Sequence, residues 1–208
     1  MNESTDLKRI QDFVARLKST NSTNDKIDII KEYNNDYIIK QVLKYTYSPF
    51  KQFHLTSATV KKNKKLEPRE GYNDLFYLLD ALTKRTITGH EAIQSVKGYI
   101  KHMEEWQQDL VFCILDKNLK TRTGADLINK AIPKCVPTFK VALANSYDKQ
   151  KGKVNFDTQK WFASHKLDGV RCLAIVDENG TCNFFSRQGK VFETLDVLKK
   201  EIESLNLC

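Results

Sequence analysis

The 208-residue sequence has no run of about 18 apolar residues and no signal-peptide pattern, which predicts a soluble, intracellular protein without a membrane segment. Its five cysteines form no C-x-x-C pair and are odd in number, so we expect reduced thiols and no zinc site. The pattern G-x-x-x-x-G-K-S/T is absent, and a P-loop NTPase is not supported. His54, His90 and His102 have no evident nucleophile nearby in the sequence, so a Ser-His-Asp hydrolase is not indicated either.

The composition is that of an ordinary soluble protein with an excess of positive charge. Hydrophobic residues make up 40% and charged residues 29%, and the length suffices for one large or two small domains. The net charge of +8 favours a polyanionic partner such as nucleic acid. The basic residues are spread along the chain, with one cluster at Lys61-Lys62-Asn63-Lys64-Lys65. Two interpretations of this cluster stay open, a solvated loop or a contact with phosphates.

About the first 135 residues are predicted to be helical. They begin with an amphipathic helix whose apolar stripe is Leu7, Ile10, Val14 and Leu17. A polar break follows, and Asn24 is the expected N-cap of a second helix over residues 25–33. A third helix over residues 36–45 should end before Pro49, because the residue before a proline is pushed out of the helical conformation.

Residues 50–71 are expected to form a connection rich in loops. After it, Thr88-Gly89-His90-Glu91 fits a capping box, which predicts that a helix begins there. The free N–H groups of that helix start, with Lys84 and Arg85 nearby, suit a phosphate, although a simply capped helix is the alternative. The preceding helix is predicted from the apolar face of Leu75, Leu78, Leu79 and Leu82.

Another helix around Trp106 and Ile114 should end near Asp116. The turn over residues 119–126 is rich in hydroxyl and basic side chains, and it suits close approach to a nucleic-acid backbone. A short helix over residues 127–132 follows. Pro133 should terminate it, and residues 133–137 are the best linker candidate in the chain.

Beyond the linker the pattern becomes that of strands. We predict strands at 138–144, 161–163 and 170–176, the last apolar on both faces apart from Arg171 and therefore buried. A turn over residues 177–180 joins it to a partner strand over residues 181–185. The remaining predictions are a surface loop at 149–153 and a final amphipathic helix that carries Leu195, Leu198, Ile202 and Leu205.

At the mouth of the predicted hairpin stands Lys166-Leu167-Asp168-Gly169-Val170-Arg171. Lys-x-Asp-Gly-x-Arg is the signature of covalent nucleotidyltransferases, which attach AMP or GMP to a lysine. A lysine is nucleophilic only when its amine is neutral, so the site must lower its pKa by burial or by nearby positive charge. Attack on the α-phosphorus of a nucleoside triphosphate then gives a phosphoramidate and releases pyrophosphate, helped by magnesium and basic side chains.

In this chemistry Lys166 is the nucleophile. Asp168 could hold the hairpin, or bind ribose or metal, and Gly169 allows a sharp turn close to the nucleotide. Arg171 could clamp ribose or phosphate, and Arg187 is spaced to reach the same mouth. The plainer alternative is a solvent-exposed lysine beside a common Asp-Gly turn.

Ser164-His165-Lys166-Leu167-Asp168-Gly169-Val170-Arg171 and Phe185-Ser186-Arg187-Gln188-Gly189 together resemble motifs I and Ia of ATP-dependent DNA ligases. The helical region resembles the DNA-binding domain of the ligases of T-even bacteriophages. The matching segments are 82–85 with Thr88-Gly89, 116–130, and Ala144-Asn145-Ser146-Tyr147-Asp148. The resemblance extends over essentially the whole chain.

This resemblance implies a multi-domain fold of the α plus α+β class. An all-α DNA-binding domain over residues 1–136 would precede the first part of an antiparallel-sheet adenylation (nucleotidyltransferase) domain over residues 137–208. It also implies a monomeric enzyme that seals nicks in duplex DNA through a lysine–AMP intermediate, with ATP and Mg2+, in replication, repair and recombination. The expected location is the cytoplasm of a bacterium or virus-infected cell, or wherever DNA is replicated.

The resemblance also implies roles for individual residues. Lys166 would be the adenylated lysine, and no residue is assigned as a metal ligand. The nucleotide-binding residues would be Lys166, Asp168, Gly169, Arg171 and Arg187. The DNA-binding residues would be Lys84, Arg85, Thr88, Gly89, Thr121, Arg122, Thr123, Gly124, Asn129 and Lys130.

Two departures from the family pattern shape the expectation. Ser164 stands where the family often carries a glutamate, so no adenine contact is assigned to it. The later motifs and the C-terminal OB domain would follow Cys208, so we expect a fragment, a truncated gene product or one piece of a split enzyme. Such a chain should have little or no ligation activity of its own, unless a complementing C-terminal fragment supplies the rest.

Two alternatives remain. An RNA ligase or capping guanylyltransferase would use the same motif, but those enzymes usually begin near the nucleotidyltransferase domain. A catalytically incomplete module that binds nicked DNA is the other.

Overall fold

A computed structural model of the chain describes residues 3–139, 145–162, 164–165, 168–187 and 189–205. It contains two compact units, Met1–Thr138 (the helical unit) and Phe139–Cys208 (the second unit). Most of the described secondary structure is helical, with a small antiparallel sheet in the second unit. No described helix has both the length and the apolar character needed to cross a bilayer.

The helical unit is built around one apolar core. The predicted stripe of the first helix is confirmed, because its four residues are at most 3% exposed. Leucine and isoleucine side chains from the later helices complete the core, among them Ile39, Leu79 and Ile114. The helices are α1 Glu3–Lys18, α2 Thr23–Glu32, α3 Tyr37–Tyr47, α4 Ser57–Lys62, α5 Leu75–Thr83, α6 Gly89–Ile100, α7 Glu105–Leu115 and α8 Ala125–Ala131.

Two helix caps differ from the prediction, although α6 begins at Gly89 as predicted. The N-cap of α2 is Ser22, whose hydroxyl accepts a hydrogen bond from the Asp25 N–H, and Asn24 lies inside the helix. At α6 the predicted capping box is wrong. Thr88 makes no capping hydrogen bond with its side chain. The Glu91 carboxylate instead accepts a hydrogen bond from Arg69 at 2.5 Å, so it does not reach back to the helix start.

The connection over residues 50–71 contains a helix that the sequence did not predict. In α4 only Val60 is buried, so the segment has almost no apolar stripe. Its start is held by a carboxylate far along the chain: Asp116 accepts hydrogen bonds from the Ser57 backbone N–H at 2.8 Å and from the Ser57 hydroxyl at 2.5 Å. A contact across 59 residues has no local sequence pattern.

The second unit holds a two-stranded ribbon. Strand β1 (Cys172–Val176) pairs antiparallel with β2 (Cys182–Ser186), with Cys172 opposite Ser186 and Val176 opposite Cys182. Helix α10 (Asp196–Glu203) contacts β2, and the Glu203 carboxylate accepts a hydrogen bond from the Cys182 N–H at 2.8 Å. The predicted hairpin and final helix are confirmed.

Other predictions for the second unit are wrong. Residues 149–153 are not a plain loop, because they include the end of α9 (Tyr147–Gln150) and the 3-10 turn Lys151–Lys153. Trp161 and Phe162 lie outside any strand. The strand over residues 170–176 was predicted to be buried, but it is exposed, with Val170 81% and Ile175 43% exposed. The reason is that, within the described residues, α10 covers β2 and no second layer covers β1. Residues 140–144 and Ala163 lie outside the described residues.

The described cysteines Cys113, Cys135, Cys172 and Cys182 are free thiols, as the sequence predicted. Cys208 lies outside the described residues.

A polar contact joins α3 to α5 at the edge of the core. The Asp80 carboxylate accepts hydrogen bonds from the Tyr45 hydroxyl at 2.8 Å and from the Lys51 amine at 2.6 Å. The Lys51 amine also lies 4.2 Å from the centroid of the Tyr45 ring. Burial raises the pKa of Asp80, but the hydrogen bonds from Lys51 and Tyr45 outweigh burial, so the net pKa lies below its usual value.

This shift predicts a pH-dependent contribution to stability. A carboxyl whose pKa is lower in the folded chain stabilises the fold above its unfolded pKa of about 3.9, and the contribution is lost as the pH falls through the folded value. Asp80→Asn should therefore lower the melting temperature at about pH 7, with the difference shrinking below about pH 4. Thermal melts followed by circular dichroism measure this. Asp28→Asn, in an exposed pair with Lys31, is the control and should change little. A difference for Asp80→Asn that is independent of pH would contradict the prediction.

Candidate nucleic-acid interface and nucleotide motif

The predicted nucleophile Lys166 lies outside the described residues, as do Leu167 and Gln188. Around it, Ser164, His165 and Asp168 are exposed. Gly169 is also exposed and has φ +153°, a backbone conformation that favours glycine. The motif residues that the structure describes are therefore open to solvent rather than packed in the core of the second unit.

The structure brings two of the predicted nucleotide-binding arginines together. Arg171 directly precedes β1 and Arg187 directly follows β2. Because Cys172 pairs with Ser186, both arginines stand at the same end of the ribbon. A guanidinium group can bind phosphate oxygens through two parallel N–H donors. This end of the ribbon is suited to a phosphate group.

A second candidate site surrounds the start of α6. A cavity of about 190 Å³ is lined by residues from three segments, among them His54, Thr59, Arg85, Thr88 and Gly89. Because the Thr88 side chain does not cap α6, its first N–H groups are open to an anion, and the positive end of the helix dipole adds to the attraction. Lys84 and Arg85, at the end of α5, are exposed beside it. His54 and Thr59 were not predicted, because they come from a connection about 30 residues earlier in the chain.

The third candidate site is the turn before α8. Lys120 and Arg122 have φ values of +55° and +54°, an unusual backbone conformation for residues other than glycine. Both side chains are exposed, whereas Thr121 between them is 2% exposed. The Thr121 and Thr123 hydroxyls are 2.6 Å apart, and the Tyr47 hydroxyl lies 3.2 Å from that of Thr123. The turn therefore presents its cations outward and uses its threonines to hold its shape.

Of the remaining predicted DNA-binding residues, two are exposed and one holds the local structure. Gly124, the N-cap of α8, is exposed and has no atom within 4 Å of where a Cβ would stand, so its backbone is open to close approach. Lys130 is exposed. Asn129 uses both ends of its amide on Val136, donating to its carbonyl at 2.8 Å and accepting from its N–H at 2.9 Å. Asn129 thus holds the segment after α8.

Three lysines that the sequence did not single out fasten the loops of the helical unit. Lys26 is 4% exposed and donates to the Thr121 carbonyl at 2.8 Å. Lys97 donates to the carbonyls of Asn63, Lys64 and Leu66. Lys117 donates to the carbonyls of Tyr45, Ser48 and Lys51. The Lys117 amine also lies 5.3 Å from the ring centroid of Phe53, which lines the cavity at α6.

The fold is shared with solved structures. The chain named "Pmar-Lig_PreS3" has a TM-score of 0.71 and 23% identity, and the likeness covers 94% of this chain and 46% of that one. A second, "Pmar-Lig_Pre.", has a TM-score of 0.69 with the same identity and coverage. At this level of identity the likeness establishes the fold alone, a mostly helical chain with a small antiparallel sheet.

Comparison of sequences says more than the fold about which proteins this chain resembles. No protein-family model matches the chain. The DNA ligase of Enterobacteria phage T4 is 29% identical over 195 residues, which is 89% of this chain and 39% of the phage protein. The DNA ligase of Enterobacteria phage T6 gives the same values. The resemblance to T-even phage ligases that the motifs indicated is confirmed, and the chain spans about two fifths of the length of these curated relatives.

Proposed function

We propose that this chain acts in ATP-dependent DNA ligation, with the helical unit binding nicked duplex DNA and Lys166 accepting AMP. The observation that carries the proposal is the similarity to two phage DNA ligases over 195 residues, a length that must include most of both units. The proposed biological setting is DNA replication, repair and recombination. The proposed partners are nicked duplex DNA and ATP, and the protein would act as a monomer.

The helical unit has the chemistry needed to bind a phosphate backbone. It presents an uncapped helix start beside Arg85 and a turn that carries Lys120 and Arg122 outward. Contacts of this kind position a protein on a duplex without reading its sequence. A nick-sealing enzyme needs that kind of binding, because nicks occur in any sequence.

The second unit would bind the nucleotide. Arg171 and Arg187 at one end of the ribbon suit the phosphates of ATP. The Lys166 amine would attack the α-phosphorus, so that an N–P bond forms, the bond to pyrophosphate breaks, and the amine loses its proton. Magnesium bound to the triphosphate would neutralise part of its charge. We assign none of the described residues to the metal.

The proposal predicts covalent labelling of one lysine. After incubation with magnesium and ATP that carries a radioactive α-phosphorus, the chain should keep the label on a denaturing gel, and Lys166→Ala should abolish it. Lys160→Ala, six residues earlier, is the matched control and should keep the label. Label that persists in Lys166→Ala would exclude Lys166 as the acceptor.

The same experiment separates the alternatives. Labelling by GTP in preference to ATP would favour a capping-type enzyme. Binding of nicked duplex without any label would favour a DNA-binding module that lacks the transfer activity.

A further inference from the structure

The basic cluster at 61–65 has no role in the proposed function so far. We call residues 61–66 the lysine loop. Lys61 is engaged within the helical unit: its amine lies 4.6 Å from the Phe112 ring centroid and 4.0 Å from the Asp109 carboxylate. Lys62, Lys64 and Lys65 are exposed, and their amines have no hydrogen-bond or ion-pair partner among the described residues. Three uncompensated cations therefore lie within four residues.

The lysine loop has a fixed shape. The Lys97 amine, from α6, donates to the carbonyls of Asn63 at 2.7 Å, Leu66 at 2.8 Å and Lys64 at 3.4 Å. The side-chain amide of Asn63, the C-cap of α4, also donates to the Thr59 carbonyl at 2.8 Å. A loop that is already held in one conformation loses less conformational entropy when it binds a partner.

This arrangement turns the donors of the loop outward. In a trans peptide the C=O and N–H groups point in opposite directions. Because the Lys64 and Leu66 carbonyls point at Lys97, the N–H groups of Lys65 and Glu67 point away from α6. Neither N–H is hydrogen-bonded within the part of the chain that the structure describes. Outward backbone N–H groups beside free amines form a surface that attracts anions.

The lysine loop also continues the candidate surface at the start of α6. Thr59 of α4 lines the cavity there together with Thr88 and Gly89, and α4 leads from that cavity into the loop. Lys97 lies eight residues along α6 from Gly89. That spacing corresponds to about 12 Å along the helix axis, the rise of three to four base pairs of duplex.

Nearby acidic residues leave the surface positive. Glu70 is paired with Lys101, and Glu91 with Arg69. Asp109 faces Lys61, and Glu67 adjoins the loop in the sequence. One carboxylate does not balance the three free amines.

We propose that Lys62, Lys64 and Lys65 form a second phosphate-binding surface, which extends the contact with duplex DNA from the start of α6 along α4, and that Lys97 positions it. This inference rests on the proposed function, because it assumes that the helical unit binds duplex. The partner is the sugar–phosphate backbone, so binding through the loop does not depend on base sequence.

The test is the salt dependence of duplex binding. The intact chain is titrated against a fluorescent nicked duplex at several salt concentrations, and compared with the triple variant Lys62→Gln, Lys64→Gln, Lys65→Gln. Each lost phosphate contact should reduce the slope of log affinity against log salt by about 0.9, so a reduction of about 2 to 3 is expected. At about 0.1 M salt the affinity should fall at least tenfold.

The matched control removes the same three charges elsewhere, with Lys149→Gln, Lys151→Gln and Lys153→Gln in the second unit. It should keep the slope of the unmodified chain. Equal losses in both triple variants would show a general effect of net charge and would overturn the inference. An unchanged salt slope in the loop variant would also overturn the inference. The same holds if the loop variant loses affinity for an acidic peptide while its affinity for duplex stays unchanged.

Lys97→Met tests the positioning role separately. It keeps the three exposed amines and removes the ammonium that fixes the loop, so the affinity should fall severalfold while most of the salt slope remains. An unchanged affinity would overturn the role of Lys97. If the unmodified chain binds no duplex, the proposed function fails as well. If it binds duplex and is labelled at Lys166 while the loop variant behaves like the unmodified chain, only this inference fails.

Discussion

Gly98→Ala is expected to destabilise the helical unit by about 1–3 kcal/mol, and Gly98→Val by more, because the added carbon atoms have no space. A Cβ at position 98 would lie directly against the Arg69 carbonyl oxygen and 2.5 Å from its carbonyl carbon. These are backbone atoms, which cannot rotate away as a side chain does. The segment is also fixed to α6, since the Arg69 N–H donates to the Gln94 carbonyl at 2.9 Å.

Urea unfolding followed by circular dichroism measures this effect. Gly152→Ala is the matched control, since a Cβ at position 152 would meet no atom within 4 Å. Its free energy of unfolding should stay within about 0.5 kcal/mol of the unmodified chain. If Gly98→Ala and Gly152→Ala unfold at the same urea concentration, the close approach of residues 69–70 to α6 is not present in solution.

Lys26→Met is expected to weaken duplex binding about tenfold, the equivalent of about 1.4 kcal/mol. The Lys26 amine is buried and donates to the Thr121 carbonyl at 2.8 Å, in the middle of the turn that carries Lys120 and Arg122. Methionine fills similar space but leaves that carbonyl without its donor, which should also cost about 1–3 kcal/mol of stability. Without this bond the two exposed cations lose their fixed positions.

Fluorescence anisotropy with a nicked duplex, well below the melting temperature, separates the two effects. Lys31→Met, on the same helix, is the control: Lys31 is exposed and pairs with Asp28, so neither stability nor affinity should change much. If Lys26→Met lowers the melting temperature but leaves the affinity unchanged, Lys26 stabilises the fold without positioning the turn.

The sequence predicted the elements whose signals are local. The stripe from Leu7 to Leu17 identified α1, and the turn at 177–180 identified the hairpin, because each pattern repeats within a few residues. It failed at α4, a short helix with one buried residue, whose start is capped locally by Thr56 and bound from far along the chain by Asp116. It also failed at the cap of α6, where Glu91 binds Arg69 instead. In both cases a partner far away in the chain takes part.

The residues of the candidate sites, too, were predictable only where their signal is local in the sequence. The cations at Arg85 and Arg122 were recognisable from local composition and from the resemblance to phage ligases. Lys26 was not, because a lysine is usually exposed and nothing nearby in the sequence indicates that this one is buried. The burial of Thr121, which the resemblance placed among the DNA-binding residues, likewise depends on how α2 and α8 pack together.

The lysines that fasten the loops also affect how the helical unit opens. Loops between helices are ordinarily the first parts of a domain to unfold locally, since few contacts hold them. Here Lys26 and Lys117 bind carbonyls 95 and 66 to 72 residues away in the sequence, and Lys97 binds carbonyls 31 to 34 residues away. Opening any of these loops would leave an ammonium group, on a core helix or just after one, without its carbonyl partners. The loops therefore belong to the same cooperative folding unit as the helices, and those of their amide protons that are hydrogen-bonded are expected to exchange with solvent mainly when the whole unit unfolds.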